Sequence, residues 1–331
     1  MNKTKKRILE LAGQAGGVRP HTLTTELNIS NVAVHKHLRA LLKDKLIERK
    51  GSPPHVIYVT RTLTNKVEVF EELENYREQL EKYFCYFTPS GEELHGVEAF
   101  AAFLTRTQQQ SSPKERAQEY LKIVDQAEQF RDDSGLIDGT PKLKTTFNKC
   151  YVNKLFYSDF YSLPKYGKSK LGQYLLHGKS GQNLRLIKEI ASSTSAHVNH
   201  IISEFNIDSV AFVPHSIPRK YPFLKEYKKL LKLPLPEIAL LKGFSGDAPI
   251  AQKSLSKLSE RIENARETIF LKEPFHSFGN TLLIDDALGS GATINEVSKK
   301  LIDTSKQPEK YNVFGYAIVG SYKGFEVIKE V

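Results

Sequence analysis

The segment Thr281-Leu-Leu-Ile-Asp-Asp-Ala-Leu-Gly-Ser-Gly-Ala-Thr293 joins an apolar run, an acidic pair and a turn of small residues. Each part has a chemical use. Gly289 and Gly291 let the backbone come close to an anion. The amides of Gly289, Ser290, Gly291, Ala292 and Thr293, at the start of a helix, supply unpaired donors at a positive dipole end. The Ser290 and Thr293 hydroxyls add further donors. Asp285 and Asp286 would repel that anion, but as acceptors they suit the two hydroxyls of a ribose whose 5′-phosphate sits in the turn. The pattern therefore asks for a ribose 5-phosphate. It is not a Walker A loop, because no Gly-Lys-Ser/Thr closes it, and it is not GxGxxG.

Such a loop needs a strand before it, a helix after it and further strands beside it. Beyond Lys142 the apolar patterns supply them. Residues 183–202 read as a helix, 210–213 as a buried strand and 255–266 as a helix; 281–284 reads as a strand, 296–302 as a helix and 313–319 as a strand. This alternation predicts an α/β domain with a mainly parallel sheet.

The N-terminus follows another pattern. Helices are expected over 3–14 and 21–27, with a third beginning at Ser30 or Asn31 and turning Val34, Leu38 and Leu41 inward. Strands over 46–50 and 55–60 flank the turn Gly51-Ser-Pro-Pro54. Three helices and a hairpin predict a winged helix-turn-helix. The third helix would then expose Ser30, Asn31, Val32, His35, Lys36 and Arg39, and the wing would expose Arg49 and Lys50, donors suited to duplex DNA. Residues 66–84 are expected to form one long amphipathic helix carrying Phe70, Leu73, Leu80 and Phe84, either a packed connector or the seam of a homodimer. The expected organisation is a DNA-binding domain over 1–62, a helical connector or insert over 63–149 and the α/β domain over 150–331.

Charge follows the same division. The chain carries a formal +10, and residues 1–60 hold 11 Lys or Arg against 4 Asp or Glu, whereas 61–130 hold 8 against 13. Two separate anion-binding units would require this distribution. Cys85 and Cys150 lie far apart without a CxxC partner, which argues against a zinc ribbon or a disulfide framework and for buried, inert thiols. His197 and His200 share a helical face with no third metal ligand in view. With no signal-peptide core after the basic start and no apolar run of membrane-spanning length, a cytoplasmic protein without a membrane partner is expected.

The 281–293 segment resembles the motif with which type I phosphoribosyltransferases bind phosphoribosyl pyrophosphate (PRPP): an apolar run, two acidic residues, two apolar residues, then Thr-Thr-Gly-x-Thr. Here Gly289 and Ser290 stand for the two leading threonines. Gln252-Lys-Ser-Leu-Ser256, followed by Glu260-Arg261, Asn264 and Phe270, resembles the ComF-type members over about residues 150–331. The resemblance implies a type I phosphoribosyltransferase fold. It also implies that Pro214, His215 and Ser216 line a pyrophosphate site, that Arg219 and Lys220 counter its charge, and that Gln252, Lys253, Arg261 and Asn264 form a mobile hood. In a working transferase Asp285, Asp286 and Arg261 would be the catalytic residues, with Mg²⁺ carried in by PRPP rather than by dedicated protein ligands. Purine-specific members place an aspartate where this chain has Gly289, so purine transfer by that route is not expected.

Two functions fit. One is a DNA-binding transcription regulator whose second domain senses PRPP or a nucleotide. The other is an active phosphoribosyltransferase with an accessory winged helix.

Overall fold

Val34, Leu38 and Leu41 do close a core. In the computed structural model, which describes residues 3–14, 16–44, 46–51, 54–60, 70–217, 219–244, 246, 250, 252–272 and 279–322, they are buried with Ile8, Leu23, Ile47 and Tyr58. This is the first of two compact units, Met1–Glu68 and Val69–Val331. It comprises helices α1 (Lys3–Ala12), α2 (Pro20–Leu27) and α3 (Asn31–Lys43), then strands β1 (Ile47–Lys50) and β2 (Ile57–Thr60), paired antiparallel. The Ser30 hydroxyl accepts from the Ala33 amide at 3.3 Å and so caps α3, satisfying one of the donors that a helix start leaves open. Ser52 and Pro53, in the turn expected between the strands, lie outside the described residues.

The second unit begins with a 3-10 turn at Glu71–Tyr76, then α4 (Arg77–Tyr83), the hairpin β3 (Cys85–Phe87) and β4 (Glu93–His95), α5 (Gly96–Arg106) and α6 (Pro113–Glu128). It continues through β5 (Ile137–Asp138), α7 (Thr140–Thr146), β6 (Lys154–Phe160), the hairpin β7 (Ser162–Leu163) and β8 (Gly167–Lys168), α8 (Lys170–Ser180) and α9 (Leu184–Glu204). Then follow β9 (Ser209–Phe212), α10 (Phe223–Leu231), β10 (Leu240–Lys242), α11 (Leu258–Thr268), β11 (Ile269–Leu271), β12 (Asn280–Leu288), α12 (Ala292–Thr304) and β13 (Asn312–Gly320).

The fold of this unit is mixed α/β with a mainly parallel sheet, ordered β5-β6-β13-β12-β9. Its four longer strands run parallel, and only β5 opposes its neighbour. Both faces of β13 are covered, which explains its almost unbroken apolar run. At Gly315 a side chain would meet Ile294 of α12 at 3.3 Å, and on the alternate face Tyr316 reaches inward hydroxyls. Ser158 of β6 bonds both the Tyr316 hydroxyl, at 2.6 Å, and His197 Nδ1 of α9, at 2.7 Å. Nearby, Tyr227 bonds Thr194 at 2.7 Å, and the Thr194 hydroxyl donates to the Ile190 carbonyl at 2.7 Å.

The expected long helix over 66–84 is corrected. Residues 66–69 lie outside the described residues, 71–76 form a 3-10 turn, and α-helix is confined to 77–83, with Phe84 already extended. Nor do its apolar residues offer a dimer seam. Leu73, Leu80 and Phe84 are buried within their own unit, and the Phe84 ring meets Phe100, Phe103 and Tyr120 edge-on at 4.9–5.6 Å. Arg77 interrupts the stripe because it sits on the outer side, paired with Glu74 at 2.6 Å.

Arg131 is one of the links between the residues beyond Phe84 and the sheet. Its guanidinium pairs with Glu128 and Asp159, each at 2.9 Å, and donates to the Gly135 and Ser158 carbonyls. No helix among the described residues is long and apolar enough to cross a membrane.

Candidate functional site

Strand β12 carries the acidic pair at its carboxyl end, and α12 starts immediately after the small-residue turn. In a parallel sheet with covered faces this is the end where a crevice opens. Gly291 forms the turn in the left-handed region (φ 78°), a conformation that costs glycine little and a side-chain-bearing residue more. The first-turn amides of α12 have no acceptor within the helix and start at that point. Ser290 is buried beside them.

A cavity of about 680 Å³ opens over this turn. Asp285, Asp286, Gly289, Ser290, Gly291, Ala292 and Thr293 line it. So do Pro214, His215, Ser216 and Arg219, which follow β9, and Gln252 and Arg261, which lie before and in α11. Segments up to eighty residues apart in sequence thus meet at one end of the sheet, roughly the distance from Pro214 to Thr293. Lys220 does not line the cavity; it is exposed, with its ammonium 5.2 Å from the Tyr221 ring centre. Asn264 lies behind the wall, its side-chain oxygen 3.0 Å from Lys242 Nζ. The Lys253 side chain is outside the described residues.

The electrostatics of the acidic pair are unequal. Burial, followed by the neighbouring Asp286 charge, pushes the Asp285 carboxyl up to about 7. One Asp285 oxygen accepts the Asp286 amide at 2.7 Å. Asp286 is instead paired with Lys179 Nζ at 2.6 Å. Burial acts to lower Lys179, but Asp286 and then Asp285 outweigh it and hold the ammonium above its ordinary value. Lys179 comes from the last turn of α8, and its carbonyl accepts from Arg219. This cation is absent from the sequence-based site, because nothing near residue 179 marks it as a neighbour of residue 286. Burial, with Lys225 and Arg219 nearby, lowers His215, which favours a neutral imidazole beside the turn.

The first unit places Asn31, Val32, His35, Lys36 and Arg39 on the exposed side of α3, with Val32 81% exposed. Arg49 and Lys50 are exposed on β1. Lys36 and Arg39 make this face basic.

One cluster of potential cation ligands occurs among the described residues. Cys85, Glu93 and His95 of the β3–β4 hairpin bring their ligand atoms within 4.8 Å of one another. Strand pairing creates it, since Cys85 lies opposite His95, so the spacing of the cysteines gives no hint of it. Glu93 is already ion-paired with Arg185, and burial pushes the Cys85 thiol up to about 12, which opposes the thiolate that a metal requires. His197 uses its Nδ1 on Ser158.

No protein-family model matches the chain, and no curated protein does. Among solved structures it is similar to a hypoxanthine phosphoribosyltransferase from Staphylococcus aureus, at 14% identity and a TM-score of 0.24, over 44% of this chain and 68% of that one. A likeness of that size carries no argument about fold or function, and both rest on the geometry above.

Proposed function

We propose that this chain is a DNA-binding regulator whose second unit binds PRPP or a nucleotide as effector. The observation that carries the reading is the meeting, in one cavity, of an acidic pair with the small-residue turn that starts α12. Phosphate oxygens suit the amides of residues 289–293, and the ribose hydroxyls suit Asp285 and Asp286. Pro214, His215, Ser216 and Arg219 would hold the pyrophosphate end. Mg²⁺ would arrive on the ligand's own phosphates and neutralise part of their charge, and no protein ligand is assigned to it.

The regulator half rests on three helices with a hairpin, read as a winged helix-turn-helix, and on the basic outer face of α3. A homodimer on a near-palindromic site is part of this reading, with its contact elsewhere than residues 71–84. Turnover is the second reading. It is favoured by the cavity volume, which leaves space for an acceptor beside a phosphoribosyl group. Gly289, at the place where purine-transferring relatives carry an aspartate, weighs against it.

The test uses the full chain. Duplexes from a genomic selection should bind, and Lys36→Ala or Arg39→Ala should each weaken binding and flatten the log–log salt dependence by about 0.9 for each phosphate no longer neutralised. Saturating PRPP and Mg²⁺, or a nucleotide, should shift DNA affinity by roughly 5- to 150-fold, and DNA should shift ligand affinity equally. If no ligand moves DNA affinity while the protein releases pyrophosphate from PRPP with some acceptor, the transferase reading replaces the regulator.

A further inference from the structure

Arg261 is a charged side chain in an unusual position. It is only 6% exposed, it lines the large cavity, and its Nη2 has no hydrogen-bond partner among the described residues. Its Nε donates to the Leu255 carbonyl at 2.9 Å, so a neutral oxygen is the partner it does have. Burial alone lowers its pKa, and no carboxylate among the described residues acts against that effect. A buried cation without a counter-ion is costly, and an anion bound in the cavity that it lines would relieve that cost.

The direction of α11 indicates which anion. Arg266 of α11 bonds Glu296 of α12 at 3.1 Å, and Lys300, one turn further along α12, reaches the carbonyls of Arg266 and Ile269. The two helices therefore run side by side in the same direction. Arg261, more than one turn before Arg266, lies towards the end where α12 begins and the small-residue turn stands. Lys242 adds a second cation to the same cavity wall, held by the neutral side chains of Asn264 and Thr268.

We propose that Arg261 is an anion-binding residue, whose guanidinium joins the first-turn amides of α12 in holding phosphate oxygens of the bound ligand. This deepens the phosphoribosyl reading by assigning a charged protein group to the ligand's phosphates, where the turn alone offers only amides and hydroxyls. The proposal itself requires only an oxyanion. It can stand if the ribose assignment falls.

Inorganic pyrophosphate, titrated calorimetrically into the full-length protein, is the probe. Hydrogen bonds to a charged group are each worth about 1.5–3 kcal/mol, so Arg261→Met should weaken binding by roughly 10- to 100-fold. Arg261→Lys keeps the charge without the fork and should lose only a few-fold. Without ligand, Arg261→Met should melt no lower than the unaltered protein, because the uncompensated charge is gone. A merely structural arginine predicts the reverse. If Arg261→Met melts lower and binds pyrophosphate unchanged, the proposal is overturned. Should Arg261→Met fail to fold, Arg261→Lys decides: a few-fold loss supports the proposal, and unchanged affinity overturns it. Asp285→Asn with Asp286→Asn separates the two readings. If that variant loses PRPP but keeps pyrophosphate, both stand; if it keeps PRPP while Arg261 still governs pyrophosphate, the ribose assignment alone fails.

Discussion

Asp285→Asn combined with Asp286→Asn is expected to abolish useful affinity for PRPP while leaving the fold intact. Above about pH 7, where Asp285 is ionised, two charged acceptors for the ribose hydroxyls become neutral amides. With about 1.5–3 kcal/mol at stake for each, the loss is roughly 100-fold or more. The same change should alter the response of the unliganded protein to pH. An unfolded chain ionises Asp285 near its ordinary 3.8, whereas the folded protein keeps it protonated until about 7. Its contribution to stability is therefore full below about pH 4 and is lost as pH rises through 7. The double variant should show no such decline. Calorimetric titration with PRPP and Mg²⁺, and urea unfolding at the two ends of that interval, measure both effects. Unchanged PRPP affinity would remove the acidic pair from the site.

A comparable loss, this time of stability, is expected from Arg131→Met. Its guanidinium ties Glu128 of α6, the Gly135 carbonyl, the Ser158 carbonyl and Asp159 of β6 into one junction, with about a fifth of its side chain exposed. Burial raises Asp159, and Arg131 is the largest influence holding it down. Removing one partner of a largely buried pair leaves the other uncompensated, at a cost of about 3–5 kcal/mol. Asp159→Asn added to Arg131→Met should recover part of that cost, since the stranded charge is then gone. A loss below about 1 kcal/mol by urea unfolding would show that the junction contributes no more than a surface pair.

The acidic pair and its turn are legible in the sequence because their chemistry is contiguous. Strand, carboxylates, glycines and helix follow one another within residues 281–293, and backbone geometry alone brings them to one end of a sheet. Lys179 is not legible. It meets Asp286 only because the fold brings the last turn of α8 to the acidic pair of β12, and no local pattern records a contact over that separation. Strand β6 escapes notice too, because Ser158 and Asp159 break its apolar run. Those two residues are polar for reasons that exist only after folding, since one answers His197 and Tyr316 and the other answers Arg131. The 66–84 stripe misleads for the opposite reason. Its spacing of seven fits a long helix, but it equally suits a 3-10 turn and a short helix buried under an aromatic cluster.

The hydroxyls between α9 and α10 settle the direction of two hydrogen bonds. Each hydroxyl has a single hydrogen to give, and the Ile190 carbonyl can only accept, so Thr194 must donate there and receive from Tyr227. Tyr227, with its hydrogen committed, has only lone pairs left for anything else around it. One backbone oxygen of α9 thus sets where a tyrosine of the neighbouring helix points its proton.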